Sequence, residues 1–217
     1  MKIFLDTANL SEIKTALDDG LISGLTTNPT LVAKEGKDYQ ETINSILSIS
    51  NIPTSVEVVS DKFEQMLEEA IEYAALSPLV VIKIPCSRDG LKLVSVLSKK
   101  GIKTNVTLVY TANQAFLSGI AGATYISPFI NRLKQISTDG LNNIEKISQV
   151  FAKHSVNTKI LAASIRDPYQ VTETFLAGAD IVTLPYSIYT ELLSHPLTET
   201  GITTFREDYE KLVGVNG

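Results

Sequence analysis

The sequence predicts an α/β protein: a single (β/α)8 TIM barrel over residues 1–217, with an additional C-terminal helix at 203–213. Three observations lead there. Eight apolar runs of strand length alternate with longer amphipathic stretches along the whole chain. No glycine-rich phosphate loop of the GxGxxG or GxxxxGK[ST] kind occurs, which weakens the case for an open nucleotide-binding sheet. Polar residues also gather towards the ends of the runs, where a barrel keeps its active site.

The runs are 2–7, 24–28, 55–59, 80–84, 103–109, 123–129, 159–165 and 180–184, rich in Val, Ile and Thr. Near-continuous apolar strands alternating with helices mean a parallel sheet under a helical cover. In the first helix, Asn9 or Ser11 is better placed than Asp6 to cap the N-terminus. Asp61 with Glu64 reads as a capping-box variant, and Phe63, Met66, Leu67, Ala70, Ile71 and Ala74 then share one helical face. The segment 139–153 repeats the pattern with Leu141, Ile144, Ile147, Val150 and Phe151. Gly101, Gly122 and Gly178 follow such segments, where a left-handed C-cap suits glycine. Beyond the eighth unit, Phe205, Tyr209 and Leu212 fall at helical spacing and need an apolar surface to cover.

Composition narrows the function. Of 217 residues, 44% are apolar and 20% charged, and the formal charge is −5. A nucleic-acid-wrapping surface needs clustered Lys and Arg, so no nucleic-acid partner is expected. The lone cysteine, Cys86, allows no intrachain disulfide and suits a reducing compartment. The apolar start meets Asp6 too soon for a signal peptide, and no apolar span of about 18 residues follows. A cytoplasmic protein without a membrane partner is the expectation. His154 and His195 are isolated and no metal-ligand spacing is present, so neither a metal nor a cofactor is expected.

Lys83 is the sharpest signal. It stands in Val80-Val-Ile-Lys-Ile-Pro85, and alternation puts Val81, Lys83 and Pro85 on one face. A lysine on an edge strand would snorkel to water. A closed barrel has no edges, and a lysine shut inside one is desolvated; a neutral amine is what Schiff-base chemistry on a ketone needs. Glu57, one run earlier, reads either as a buried ion-pair partner or as a general acid/base. Asp6 is a second carboxylate, so imine formation and carbon–carbon cleavage can each have their own. Asn28 precedes Pro29 and also reads as a turn residue. Asn105 and Thr107 share a strand face, as do Ser127 and Phe129. Arg132 and Arg166, near Ser127 and Ser164, are either solvated charges or a phosphate clamp.

These residues stand in five motifs: Thr26-Thr-Asn-Pro-Thr30, Val81-Ile-Lys-Ile-Pro85, Asn105-Val-Thr107, Ser127-Pro-Phe-Ile-Asn-Arg132 and Leu161-Ala-Ala-Ser-Ile-Arg166. With Phe4-Leu-Asp-Thr-Ala8, they resemble the small-subunit branch of the transaldolase family, which also contains fructose-6-phosphate aldolase. The resemblance spans nearly the whole chain. It implies that Lys83 forms the Schiff base, that Glu57 and Thr107 hold a catalytic water, and that Asp6 is the acid/base at the bond being cleaved. It implies that Asn28 and Asn105 hold the dihydroxyacetone hydroxyls, that Ser127 is a further substrate contact, and that Arg132, Ser164 and Arg166 bind phosphate. It further implies a homo-oligomer, pentamer or decamer, in which the C-terminal helix reaches over a neighbour.

Three functions remain to be separated. A transaldolase transfers the three-carbon unit from sedoheptulose 7-phosphate to glyceraldehyde 3-phosphate. A fructose-6-phosphate aldolase releases free dihydroxyacetone instead. The aldolase relatives resemble a pattern with Tyr at the position of Phe129 and Gln at that of Glu57, and a phenyl ring cannot hydrogen-bond a water as a phenol does; transfer is therefore expected. A barrel that merely binds sugar phosphate gives no reason for a lysine beside a carboxylate.

Overall fold

Runs of Val, Ile and Leu with both faces apolar are stable only when both faces are covered. The computed structural model describes residues 1–36 and 38–214. Positions 37 and 215–217 of the expected domain lie outside the described residues. The eight runs form β1 (Lys2–Asp6), β2 (Leu25–Thr26), β3 (Thr54–Glu57), β4 (Val80–Pro85), β5 (Thr104–Val109), β6 (Tyr125–Pro128), β7 (Lys159–Ala162) and β8 (Ile181–Leu184). Each pairs in parallel with the next, and β8 closes on β1 through Lys2↔Ile181 to Leu5↔Leu184. The expected closed barrel is what the chain adopts.

Around it lie α1 (Leu10–Asp18), α2 (Pro29–Lys34), α3 (Tyr39–Ile49), α4 (Phe63–Leu76), α5 (Arg88–Lys99), α6 (Ala112–Ile120), α7 (Ile130–Lys134), α8 (Gly140–Lys153), α9 (Pro168–Leu176), α10 (Tyr186–Leu193) and α11 (Pro196–Gly214). Alternation sends Val56, Ile82, Ile84, Val106, Ile126 and Val182 outward into a buried layer shared with Met66, Leu93, Leu97, Ile144 and Ile147 from the helices. Leu5 and Leu25 do the same against Ile13, Ala16 and Ile46.

The opposite faces fill the barrel. Phe4, Leu161 and Ile181, with Tyr125 against them, make an apolar floor, and the Phe4 and Tyr125 rings meet edge-on at 6.0 Å. Gly24 leaves room for the Phe4 ring, since a Cβ there would lie 2.4 Å from it. Gly24→Ala should therefore cost about 1–3 kcal/mol through overpacking. Urea unfolding checks this; an unchanged midpoint would mean that the floor tolerates the methyl. Above the floor the interior turns polar, with Thr26, Ser55, Lys83, Asn105, Ser127 and Thr183 all buried.

The local expectations fare unevenly. Asn9 caps α1, its Oδ1 accepting from the Ser11 and Glu12 amides. Asp139 caps α8, and Ile144, Ile147 and Phe151 are its buried face. Gly101, Gly122 and Gly178 have φ of 74°, 90° and 101°. Asp61, however, does not cap α4: Lys62 holds that position without a side-chain cap bond. Glu69 reaches back instead and accepts from the Val59 and Ser60 amides at 2.8 and 3.3 Å. The buried stripe of α4 is Met66, Ala70 and Tyr73, at helical spacing, which leaves Ile71 41% exposed beside it. The terminal helix is longer than 203–213, beginning at Pro196, a residue suited to a first helical turn. None of its residues is buried, and Phe205 and Tyr209 are 76% and 67% exposed. Among the described residues no helix is long and apolar enough to cross a membrane.

Candidate active site

The strand ends open into one cavity of about 430 Å³. Asp6 reaches it from β1, Glu57 from β3, Lys83 from β4, Thr107 from β5 and Ser127 from β6. Asn28, Phe129, Ser164 and Arg166 come from the segments following β2, β6 and β7, and Arg132 from α7. Ten of the eleven residues singled out in the sequence thus meet at one cavity, which is where a parallel barrel assembles a site.

Lys83 is 6% exposed, and its strand partner in register is Glu57. Its Nζ lies 3.0 Å from Glu57 Oε2 and donates to the Thr27 carbonyl at 2.9 Å. Thr27 is itself tied down, its hydroxyl donating to the Ser55 carbonyl at 2.9 Å. Tyr39 on α3 donates its hydroxyl to the Glu57 carbonyl at 2.8 Å. Burial pushes the Tyr39 phenol up, with nearby Tyr73 and Glu57 adding to the effect, so it stays a donor.

Asp6 is held from the neighbouring strand. Thr26 donates to Asp6 Oδ1 at 2.7 Å, and the Thr26 and Thr183 hydroxyls lie 2.6 Å apart. Thr26 has one hydroxyl proton and gives it to the carboxylate, so Thr183 must be the donor to Thr26. Thr183, on β8, was not singled out in the sequence, where it is only a hydroxyl inside an apolar run.

Thr107 Oγ1 is buried and has no hydrogen-bond partner among the described residues. Just beyond it, Leu108 has φ 57° and the register with β6 shifts between Val106 and Val109. Ser164, in the run expected to stay extended to residue 165, has φ 66°. A left-handed non-glycine residue costs about 1–2 kcal/mol, and both of these residues line the cavity. Such strain is retained where it aims something.

Asn28 does two things at once. It heads α2 as the N-cap, its Oδ1 accepting from the Leu31 amide at 3.0 Å, and it lines the cavity. Phe129 lies just past β6, bridged to Ala163, with its ring 5.9 Å from that of Tyr110 and 5.6 Å from the Arg132 guanidinium. Arg132 and Arg166 are exposed at the mouth. Lys34, at the end of α2, is a further cation on the lining, one that the sequence did not single out. Asn105 is the residue the structure places elsewhere: it is fully buried, donating to Ser55 Oγ at 3.2 Å and accepting from Ser127 Oγ at 2.8 Å, outside the cavity lining. It braces Ser127, which does line the cavity.

Residues 3–215 match the family model described as Transaldolase/Fructose-6-phosphate aldolase. The chain belongs to that family. Over 216 residues, 99% of this chain and 100% of the relative, it is 54% identical to a protein of Brachyspira hyodysenteriae described as a probable transaldolase. A Moorella thermoacetica protein with the same description is 51% identical over 212 residues, 98% of this chain and 99% of its own length. One from Clostridium botulinum is 50% identical over 216 residues, the full length of both. Relatives thus cover the transaldolase/fructose-6-phosphate aldolase barrel end to end. One other nucleophilic side chain stays apart from its cavity. Burial pushes the Cys86 thiol up, against a weaker lowering by Ser118, and Cys86 does not line the cavity. Among the described residues, no group of three or more His, Cys, Asp or Glu is placed to hold a metal ion.

Proposed function

We propose that this chain is a transaldolase working through a Schiff base on Lys83. The observation that supports it best is the Lys83–Glu57 pair, 3.0 Å apart and shut inside the barrel at the base of a cavity whose mouth carries arginines. A buried ion pair alone is weak for stability; beneath a ketose-sized cavity it is a nucleophile with its proton acceptor.

In this reading Lys83 passes its proton to Glu57 and attacks the ketone carbon of sedoheptulose 7-phosphate. The carbinolamine oxygen leaves as water, with Glu57 and the Thr107 hydroxyl holding the water that relays protons. The protonated imine then accepts the electrons of the adjacent carbon–carbon bond. Asp6 takes the proton from the hydroxyl on the far carbon, and erythrose 4-phosphate departs as an aldehyde. The three-carbon enamine remains on Lys83 and attacks the aldehyde of glyceraldehyde 3-phosphate, Asp6 returning the proton to the new hydroxyl. Hydrolysis of the imine releases fructose 6-phosphate and restores the amine. Asn28 and Ser127 hold hydroxyls of the three-carbon unit, with Asn105 acting through Ser127; Arg132, Ser164 and Arg166 hold phosphate.

The aldolase alternative uses the same imine but protonates the enamine and lets dihydroxyacetone go. Phe129 and Glu57 favour transfer, because the phenyl ring gives the relay water no hydroxyl partner. Purified protein should convert sedoheptulose 7-phosphate only when glyceraldehyde 3-phosphate is present, and release little dihydroxyacetone from fructose 6-phosphate. Phe129→Tyr should shift that ratio towards release. Release as fast as transfer in the unaltered protein would sink the transaldolase reading.

The reaction places the protein in the non-oxidative pentose phosphate pathway, and a cytoplasmic location fits its substrates. One domain over residues 1–217 is also part of the proposal. So is a pentamer or decamer in which a second copy of the chain covers α11. Leu197, Phe205 and Tyr209 of that helix are exposed. Light scattering should give the mass of an oligomer; a stable monomer at micromolar concentration would contradict it.

A further inference from the structure

We propose that Asn131 and Gln170 form a positioning latch that sets Arg132 and Arg166 relative to each other, and so governs affinity for the phosphorylated end of the substrate. This rests on the reading of those two arginines as the phosphate site. Arg132 sits on a single short helix, α7, and Arg166 in the segment between β7 and α9. Backbone links join the two segments at Ile130 and Ala163, and the side chain of Asn131, immediately before Arg132, reaches across to Gln170 on α9.

The pair is reciprocal. Asn131 Nδ2 donates to Gln170 Oε1 at 2.6 Å, and Gln170 Nε2 donates back to Asn131 Oδ1 at 3.3 Å. The remaining groups are committed too. Asn131 Nδ2 also donates to the Ser164 carbonyl, and Gln170 Nε2 to Asp167 Oδ2 at 2.6 Å. Gln170 Oε1 accepts from the Arg166 amide at 3.1 Å.

The orientation of both amides follows from these partners. A backbone N–H can only donate, so the Gln170 atom facing Arg166 is its oxygen; the Asn131 atom facing that oxygen and the Ser164 carbonyl is then its nitrogen. Each amide has two hydrogens, and all four are used. The network therefore holds the left-handed Ser164, the Arg166 backbone and the start of α7 as one unit. Fixing both segments removes freedom that two exposed arginines would otherwise lose on binding phosphate.

The test uses the full-length protein and three variants: Asn131→Asp, Gln170→Ala and the reference Arg166→Leu. Asn131→Asp keeps the shape but removes both donors and sets a carboxylate against the Ser164 carbonyl. KM for fructose 6-phosphate and the inhibition constant of inorganic phosphate should each rise about tenfold in both latch variants, the equivalent of one neutral hydrogen-bonded contact. Saturated kcat, and borohydride trapping of dihydroxyacetone on Lys83, should stay within about twofold. The double variant Asn131→Asp/Gln170→Ala should be no worse than either single one, as for two halves of one latch. If Arg166→Leu raises KM and the latch variants do not, the latch is wrong and the phosphate site stands. If Arg166→Leu leaves KM unchanged, the phosphate reading itself falls. If kcat and trapping drop along with KM in the latch variants, the pair is part of the general architecture and the positioning role is overturned.

Discussion

Lys83→Ala is expected to end both transfer and release, lowering kcat by about 10⁴-fold or more, as loss of a covalent nucleophile does. Neither path exists without the imine. Incubation with dihydroxyacetone and borohydride should add a mass to Lys83 in the unaltered protein and none in the variant. The substitution also leaves Glu57 without its cation, in a wall where the Glu57 side chain is only 13% exposed. Stability should therefore fall as well, so folding must be checked by circular dichroism before the activity is compared. Lys83→Met, which fills the space, provides the comparison if the alanine variant unfolds. Turnover that survives in a folded Lys83 variant would mean that this amine is not the nucleophile, and the proposed function would fall with it.

The sequence makes the inner face of each strand legible because alternation has a period of two. Val81, Lys83 and Pro85 must share a face, and once the sheet closes that face looks inward. Glu57 and Lys83 come from neighbouring runs and land in register. What the period does not report is depth. Asn105 lies on the inner face as expected, yet it is fully buried between Ser55 and Ser127 rather than at the cavity. Strand ends were overextended for a related reason. The chain leaves β7 at Ala162 and turns left-handed at Ser164, where no glycine marks the turn. Links made by closure were not legible at all: Thr183 reaches Thr26 across 157 residues only because β8 docks on β1 and β1 on β2. The same holds for Asn131 and Gln170, 39 residues apart, whose amides look like ordinary helix-surface residues until α7 and α9 meet the same loop.

Asp6→Asn should separate the two carboxylates of the site. The expected result is a fall in transfer of about 10²–10⁴-fold, the range for removing a general acid/base, with borohydride trapping of dihydroxyacetone on Lys83 retained. Asparagine has nearly the same shape, and its carbonyl oxygen can still accept the hydroxyl that Thr26 gives Asp6 at 2.7 Å. The Thr183–Thr26 chain then persists, and only the basicity at the far hydroxyl is lost. Imine formation needs Lys83 and Glu57, neither of which touches Asp6 through a hydrogen bond or ion pair in this structure. Glu57→Gln should behave differently, slowing the trapping itself, because it removes the proton acceptor 3.0 Å from the amine. The two variants thus place each carboxylate on its own side of the imine: Glu57 before it, Asp6 after it. Single-turnover trapping with dihydroxyacetone, compared with transfer from sedoheptulose 7-phosphate, reads both steps. Should a folded Asp6→Asn protein lose trapping as completely as it loses transfer, Asp6 acts in forming the imine and the division of labour is wrong.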